Sequence, residues 1–423
     1  MKKRSIFVFL IEKKRKFIEN LKPSDNRNHN GKSFTKNRSL TMGRLFTIIL
    51  RCSPYSLQIR LDDYFKEIGH KEETVTKQAF SKARANLDPE ITKQSFIMTA
   101  NALSSCEDLE LHKNKFRLCA IDGSAVALDN AKELLSHFGG SGSNADSATA
   151  MASLCYDPLN DIILDGGLYP YGTSEREAAW NHIEALSTLA LPKGACNLYI
   201  GDRGYPSKEL FADMIDRGLF FVMRARDKFC INFDKATNQK TFFEHNGKHY
   251  KVRVFKFILP SGEKEQLVTN LPAKYLKASE AADLYFKRWK IEVKFDSLKN
   301  KLELENMSGR RMVTTYQDFW AKLDLANTMA ALEYSTNEAI EEKICQNNNK
   351  YQQITNENRL VTKFSEKYID LLSTDETDER LRLFDELVAD ISMRPVEIKP
   401  DRKSVRKTPR KKKFCDRKKR VLR

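Results

Sequence analysis

Apolar and polar positions change period several times along the chain, and each change marks an element. Over residues 43–109 the period is helical: Leu57, Leu61, Tyr64 and Phe65 recur at helical spacing, and residues 74–84 read as a capped helix after a short turn. At Phe116 the period becomes that of strands. Residues 116–128 (FRLCAIDGSAVAL) read as a buried strand holding Asp122, and a Gly/Ser-rich loop follows at 139–143. Two more strands, near 149–156 and 162–169, are joined by the turn signal Asp157-Pro158-Leu159-Asn160. Thr173 or Ser174 then caps a helix running to about Leu189, with Glu177 completing a capping box on Ser174. A short strand, 197–200, delivers Asp202 to its end, and a helix (206–217) and a strand (219–224) come next.

Strand, strand, strand, helix, strand, helix, strand is the order of an α/β, ribonuclease H-like mixed sheet with helices on both faces. Asp122 falls in its first strand and Asp202 at the end of its fourth. Residues 225–271 read as a β-rich insertion, with turns at Asn246-Gly247 and Pro260-Ser261-Gly262. Ser279 or Glu280 opens a helix containing YFKRWKIEVKFDSLK (285–299). On a continuous helix Tyr285, Arg288, Glu292 and Lys299 share an arc of about 60°, and Leu284, Ile291, Phe295, Leu298 and Leu302 form a second, apolar stripe beside it. Trp289 reads as core packing or as a base contact, the first being favoured by its face.

Charge changes the picture at the ends. The net charge is +16, yet residues 1–40 carry twelve Lys/Arg against three Asp/Glu, residues 402–423 thirteen against one, and residues 41–401 are left with about −5. Both tails read as basic and unlikely to be ordered, suited to a polyanion such as DNA or simply solvated. Met42 is a second possible start, which would place residues 1–41 outside the native fold. The eight cysteines are scattered with no zinc spacing, so reduced thiols in a cytoplasm are expected. The apolar run at 5–11 is too short for a secretory signal, no stretch is long enough to span a bilayer, and no membrane partner is expected.

Three acidic residues from separated positions, Asp122, Asp202 and Glu292, are hard oxygen donors of the kind that hold Mg²⁺ or Mn²⁺, and two such ions activate an attacking oxygen and stabilise a leaving one in phosphodiester chemistry. The spacing of Tyr285, Arg288, Glu292 and Lys299 matches a Y-x2-R-x3-E-x6-K signature, and with IDGS at 121–124 and GDRGY at 201–205 the chain resembles the insertion-sequence transposases of the DDE superfamily over residues 74–331. That resemblance implies a prokaryotic, cytoplasmic, nucleoid-associated enzyme for cut-and-paste transposition of its own element. It further implies Asp122, Asp202 and Glu292 as catalytic metal ligands, two Mg²⁺ or Mn²⁺ ions, phosphate contacts from Arg288 and Lys299, and contact of Tyr285 with the DNA end. The partners implied are double-stranded DNA, as terminal repeats and target, and a second copy of the chain in a DNA-bound homodimer. A catalytically silent DNA-binding derivative is the alternative, and a nuclease without strand transfer shares the chemistry. Two departures stand out: none of Trp180, Trp289 and Trp320 lies in the insertion, leaving Phe242, Phe243 or Tyr250 as its aromatic residues, and Asp296 sits one turn after Glu292 where a relative is basic.

The domain organisation expected is a basic extension (1–40), a helical module (43–112), a catalytic domain (116–310), a helical C-terminal region (311–400) and a basic tail (401–423). Lys77, Gln78, Lys82 and Arg84 lie on the helical module, which is either a helix-turn-helix DNA reader or a helical cap. Asp324 and Asn327 fall on an apolar helix where packing outweighs an approach to the site. Tyr368, Leu371, Leu372, Leu381, Leu383, Phe384 and Leu387 suit a helix pair, for dimerisation or for packing on the same chain.

Overall fold

A computed structural model describes residues 3–27, 33–36, 38–51, 56–70, 72, 75–142, 146–258, 262–347 and 351–399. In chain order, helices α1 (Lys3–Glu19), α2 (Met42–Leu50), α3 (Leu57–Glu67), α4 (Lys77–Arg84) and α5 (Pro89–Ser104) precede the long strand β1 (Phe116–Ala127). Then come α6 (Lys132–Phe138), β2 (Gly140–Ser141), β3 (Ser147–Asp157), β4 (Ile162–Pro170), α7 (Glu175–Leu186), β5 (Cys196–Gly201), α8 (Lys208–Asp216) and β6 (Phe220–Arg224). The expected insertion holds α9 (Ile231–Lys235), β7 (Gln239–His245), β8 (Lys248–Ile258) and β9 (Lys264–Thr269). Helices α10 (Ala278–Phe286), α11 (Lys290–Asn300) and α12 (Met312–Asn347) follow, then β10 (Gln353–Ile354), α13 (Glu357–Ser373), α14 (Thr377–Ser392) and β11 (Val396–Glu397).

Nine strands form one mixed sheet flanked by helices, in the order β2-β3-β1-β5-β6-β9-β8-β7, with β4 also on β3. β1 pairs antiparallel with β3 and parallel with β5, and β5 runs parallel to β6. The meander followed by parallel strands is the architecture expected from the sequence. At the β3–β4 turn, Asp157 accepts hydrogen bonds from the Leu159 N–H (3.0 Å) and from Asn160 Nδ2 (2.7 Å), an Asx turn closed by Asp161 at φ 52°. Asn246 and Gly247, at φ 48° and 74°, make the tight turn between β7 and β8. The β-rich insertion expected at 225–271 joins the central sheet: β9 pairs with β6, so β7–β9 extend it. The turn signal at Pro260-Ser261 lies outside the described residues.

The chain divides into two compact units. The first takes the described residues up to Thr99, Leu128–Ser136 and those from Asn300 on; the second takes Ala100–Ala127 and His137–Lys299. This partition differs from a catalytic block at 116–310.

In the second unit, Phe116, Leu118, Leu198, Ile200 and Val222 from the sheet pack against Leu271, Leu276, Leu284 and Tyr285. In the first unit, α1 overturns, for residues 3–19, the expectation of disorder at the N-terminal end. Ile6, Phe7 and Leu10 are fully buried, and Lys14 Nζ makes an ion pair with Asp324 of α12, both side chains enclosed. Asp324 also accepts from Ser95 Oγ at 2.6 Å and Thr99 Oγ1 at 2.5 Å. Burial pulls the Lys14 ammonium below its ordinary range, and Asp324 restores only part of the loss. Residues 3–19 are therefore built into this unit, against the reading that the fold starts at Met42, and Asp324 is a packing residue. Phe384 of α14 stacks on Phe7 at 5.4 Å, so α13 and α14 pack on their own chain, with Leu381 left exposed. The basic tail at 401–423 lies outside the described residues.

Candidate active site

The parallel register of β1 and β5 sets the site. Its last pair is Ala120 with Ile200, and Asp122 and Asp202 each follow two residues later. Neighbouring strands lie about 4.8 Å apart, so Asp122, midway along β1 where its pairing with β5 ends, and Asp202, just past the C-terminal end of β5, come out side by side. β1 is buried through Ile121 and half-buried from Asp122 to Ser124. Each carboxylate is held by its own loop: Asp122 Oδ1 accepts the Gly123 N–H at 2.9 Å, and Asp202 Oδ1 accepts the Gly204 N–H at 2.7 Å. Beneath Asp122, the buried His182 joins Asp165 Oδ2 (2.6 Å) to Ser153 Oγ (2.9 Å). Ser153 is 1 % exposed, so this Ser-His-Asp line braces β3 against α7 and offers no nucleophile.

Glu292 comes from α11, and Arg288 ties it to the strands. One guanidinium nitrogen donates to Asp122 Oδ2 at 3.3 Å and the other to Glu292 Oε1 at 3.0 Å. Burial works against the charge of Arg288, but Tyr285, Asp122 and Glu292 outweigh it and raise its pKa. Lys299 Nζ donates to Ser124 Oγ and the Ala125 carbonyl, both at 2.7 Å, clamping the far end of α11 to β1. Lys290 and Lys294 bind the Pro158 carbonyl and Asp161 of the β3–β4 turn.

Three expectations about these residues change. The stretch 285–299 is not one continuous helix: a 3-10 turn at Lys287–Trp289 separates α10 from α11 and breaks the single polar face. Tyr285 is 3 % exposed, in the core beside Leu284, with Arg288 over its ring at 5.8 Å, a placement that does not suit contact with a DNA end. Burial pushes its hydroxyl up to about 12. Trp289, read as core, is 43 % exposed, carried outward by the 3-10 turn. The apolar stripe itself, Leu284, Ile291, Phe295, Leu298 and Leu302, is buried.

In the helical module, Thr76 caps α4 by accepting the Ala79 N–H, and Lys77, Gln78 and Lys82 are exposed. Arg84 is not available to DNA. It is buried against Asp318 (2.6 Å), Gln317 Oε1 (2.8 Å) and the Thr314 carbonyl (3.0 Å), and it helps hold the Asp318 carboxyl below its usual range despite burial. In the sheet extension, Phe243 and Tyr250 are buried and stacked on each other, whereas Phe242 is exposed beside His249.

Burial pushes the Asp122 carboxyl up to about 6, with Asp202 and Glu292 adding to it and Arg288 and the Gly123 N–H opposing. A carboxyl whose folded pKa exceeds its unfolded value favours the folded state below about pH 4, and that contribution is lost as pH rises through 6. In chelator, Asp122→Asn is therefore expected to be about 1–3 kcal/mol more stable than wild type at pH 7.5 and to lose that advantage by pH 4. Urea titrations of both proteins at the two pH values check this.

Two functional features escaped the sequence. Glu175, first residue of α7, lies against the loop after Asp202, and Tyr205, at the end of GDRGY, buries its hydroxyl at the site with no partner among the described residues. The donor set is all hard oxygen, which fits Mg²⁺ or Mn²⁺. Among the described residues no three His, Cys, Asp or Glu groups enclose one metal ion. Mg²⁺ commonly takes one or two carboxylates and completes its shell with water and phosphate oxygens, so the set fits an open site.

Residues 113–327 match the model of a family described as the transposase DDE domain. The chain belongs to this family. Among solved structures, the piggyBac transposase synaptic complex with hairpin DNA is similar over 94% of this chain and 86% of that one, at 11% identity and a TM-score of 0.45. No curated protein matches the chain in sequence. Within this DDE transposase domain lie Asp122, Asp202 and Glu292, together with Arg288 and Lys299. Among the described residues no helix is long and apolar enough to cross a membrane.

Proposed function

We propose that this DDE transposase cuts DNA at the ends of its own insertion sequence and joins the freed 3′ ends to a target, with Asp122, Asp202 and Glu292 holding divalent cations. The observation that carries the reading is the shared register of Asp122 and Asp202 on β1 and β5, with Arg288 linking Asp122 to Glu292. When bound, Mg²⁺ or Mn²⁺ supplies Lewis-acid stabilisation of the phosphoryl oxygens and a more acidic attacking hydroxyl or water.

The chain's own residues then do the positioning. Arg288, held charged beside three acidic or phenolic groups, orients Asp122 and Glu292 from a buried position. Lys299, on the rim of β1, holds α11 in place and is close to the path of a strand crossing the site. The exposed Lys77 and Lys82 contact DNA phosphates in this reading, giving a strong salt dependence. Two DNA ends must be held together for joining, which favours a homodimer assembled on DNA.

The test is a duplex bearing the element's ends, incubated with the full chain and Mg²⁺ and a plasmid target. Nicks at the element boundary followed by joined products are expected. Free ends that never join would reduce the reading to a nuclease, and end-binding without cleavage in Mg²⁺ or Mn²⁺ would favour a silent DNA-binding derivative.

A further inference from the structure

Resting on that reading, we propose that Glu175 is a fourth carboxylate of the cation site, acting with Asp202, and that the Tyr205 hydroxyl donates to an oxygen ligand of the same cation. Glu175 opens α7, where Ser174 Oγ accepts the Arg176 N–H at 3.3 Å. Its two oxygens reach toward both aspartate loops. A Cβ on Gly204 would lie 2.4 Å from Glu175 Oε2 and 3.1 Å from Asp202 Oδ1, and a Cβ on Gly123 would lie 3.9 Å from Glu175 Oε1. The carboxylate thus sits between the residue after Asp122 and the turn after Asp202, against Gly204.

An acid at a helix start is ordinarily explained by the helix dipole or a nearby cation. Burial and Asp202 raise the Glu175 carboxyl while Arg176 and Arg226 oppose them, yet neither arginine hydrogen-bonds it: Arg176 Nε donates to the Tyr205 carbonyl and Arg226 Nε to the Arg203 carbonyl, both at 3.2 Å. Glu175 itself accepts no hydrogen bond among the described residues, although it stands beside Asp202.

The second observation is Tyr205. It is 1 % exposed, its hydroxyl has no partner among the described residues, and it lies close enough to Asp122, Glu175 and Asp202 to feel their charges. A buried hydroxyl near three carboxylates and bonded to none of them is left to donate to an oxygen ligand among them. Asp122, Glu175 and Asp202 near this hydroxyl offer the hard oxygens that a compact divalent cation prefers.

The experiment titrates Mn²⁺ into the full chain without DNA, read by the electron paramagnetic resonance of free Mn²⁺. Wild type is expected to bind, and Glu175→Gln to bind at least about 10-fold more weakly. Glu175→Asp, which keeps the charge and shortens the reach, should fall between, and Glu177→Gln, on the same helix turn, should match wild type. If Glu175→Gln and Glu175→Asp both bind like wild type while Asp202→Asn does not, the proposal fails and the three-carboxylate reading survives. If wild type binds no Mn²⁺ at all, both fail together.

Discussion

Asp122→Asn, Asp202→Asn and Glu292→Gln are each expected to slow DNA cleavage by about 10³-fold or more, with folding intact. A cation at a phosphoryl centre contributes several kcal/mol of transition-state stabilisation, and each 1.36 kcal/mol is tenfold in rate. The amide replacements keep size and remove the charge and one acceptor oxygen, so the loss is chemical. The three positions differ in one respect. Both Asp122 and Glu292 accept from Arg288, but Asp122 is 19 % exposed and Glu292 43 %, so Glu292→Gln should change stability little while Asp122→Asn changes it with pH as described. Single-turnover nicking of an end-bearing duplex in Mg²⁺ measures the effect. Undiminished cleavage by any one of them would remove that residue from the site.

The second large effect is on stability. Lys14→Met is expected to destabilise the fold by about 3–5 kcal/mol, because Asp324 is left fully buried without its cation. Ser95 and Thr99 still donate to the carboxylate but carry no charge. The double variant Lys14→Met, Asp324→Leu should recover a large part of the loss, since a buried pair replaced by apolar groups of similar volume is often neutral. Urea unfolding of the single and double variants decides this. A Lys14→Met protein as stable as wild type would mean α1 is not seated on α12.

Much of the sheet was legible because its signals are local: period-two runs, the Asx turn at Asp157 and the Asn246-Gly247 turn. Asp122 and Asp202 could be placed because strand ends follow from those runs, and the spacing of Arg288 and Glu292, one helical turn, brought those side chains together. What failed depended on distant partners or on small breaks of local geometry. Lys14 and Arg84 look like surface cations until Asp324 and Asp318, more than two hundred residues away, are seen to meet them. A three-residue 3-10 turn carries no strong sequence mark, and around it Tyr285 is buried while Trp289 is exposed. Glu175 carries no mark in the sequence, because an acid in the first turn of a helix is ordinary; the fold alone brings its carboxylate beside Gly204 and Asp202.

The constant offset between β1 and β5 bears on which length changes the gene can tolerate. Because alternate residues of a strand face opposite sides, adding or deleting one residue within 116–122 or 196–202 would turn one aspartate away from the other and disable the pair while leaving every site residue in the sequence. Length variation among functional copies should therefore be confined to the connections outside these two stretches, so an in-frame indel inside either one would mark a copy as inactive before any assay.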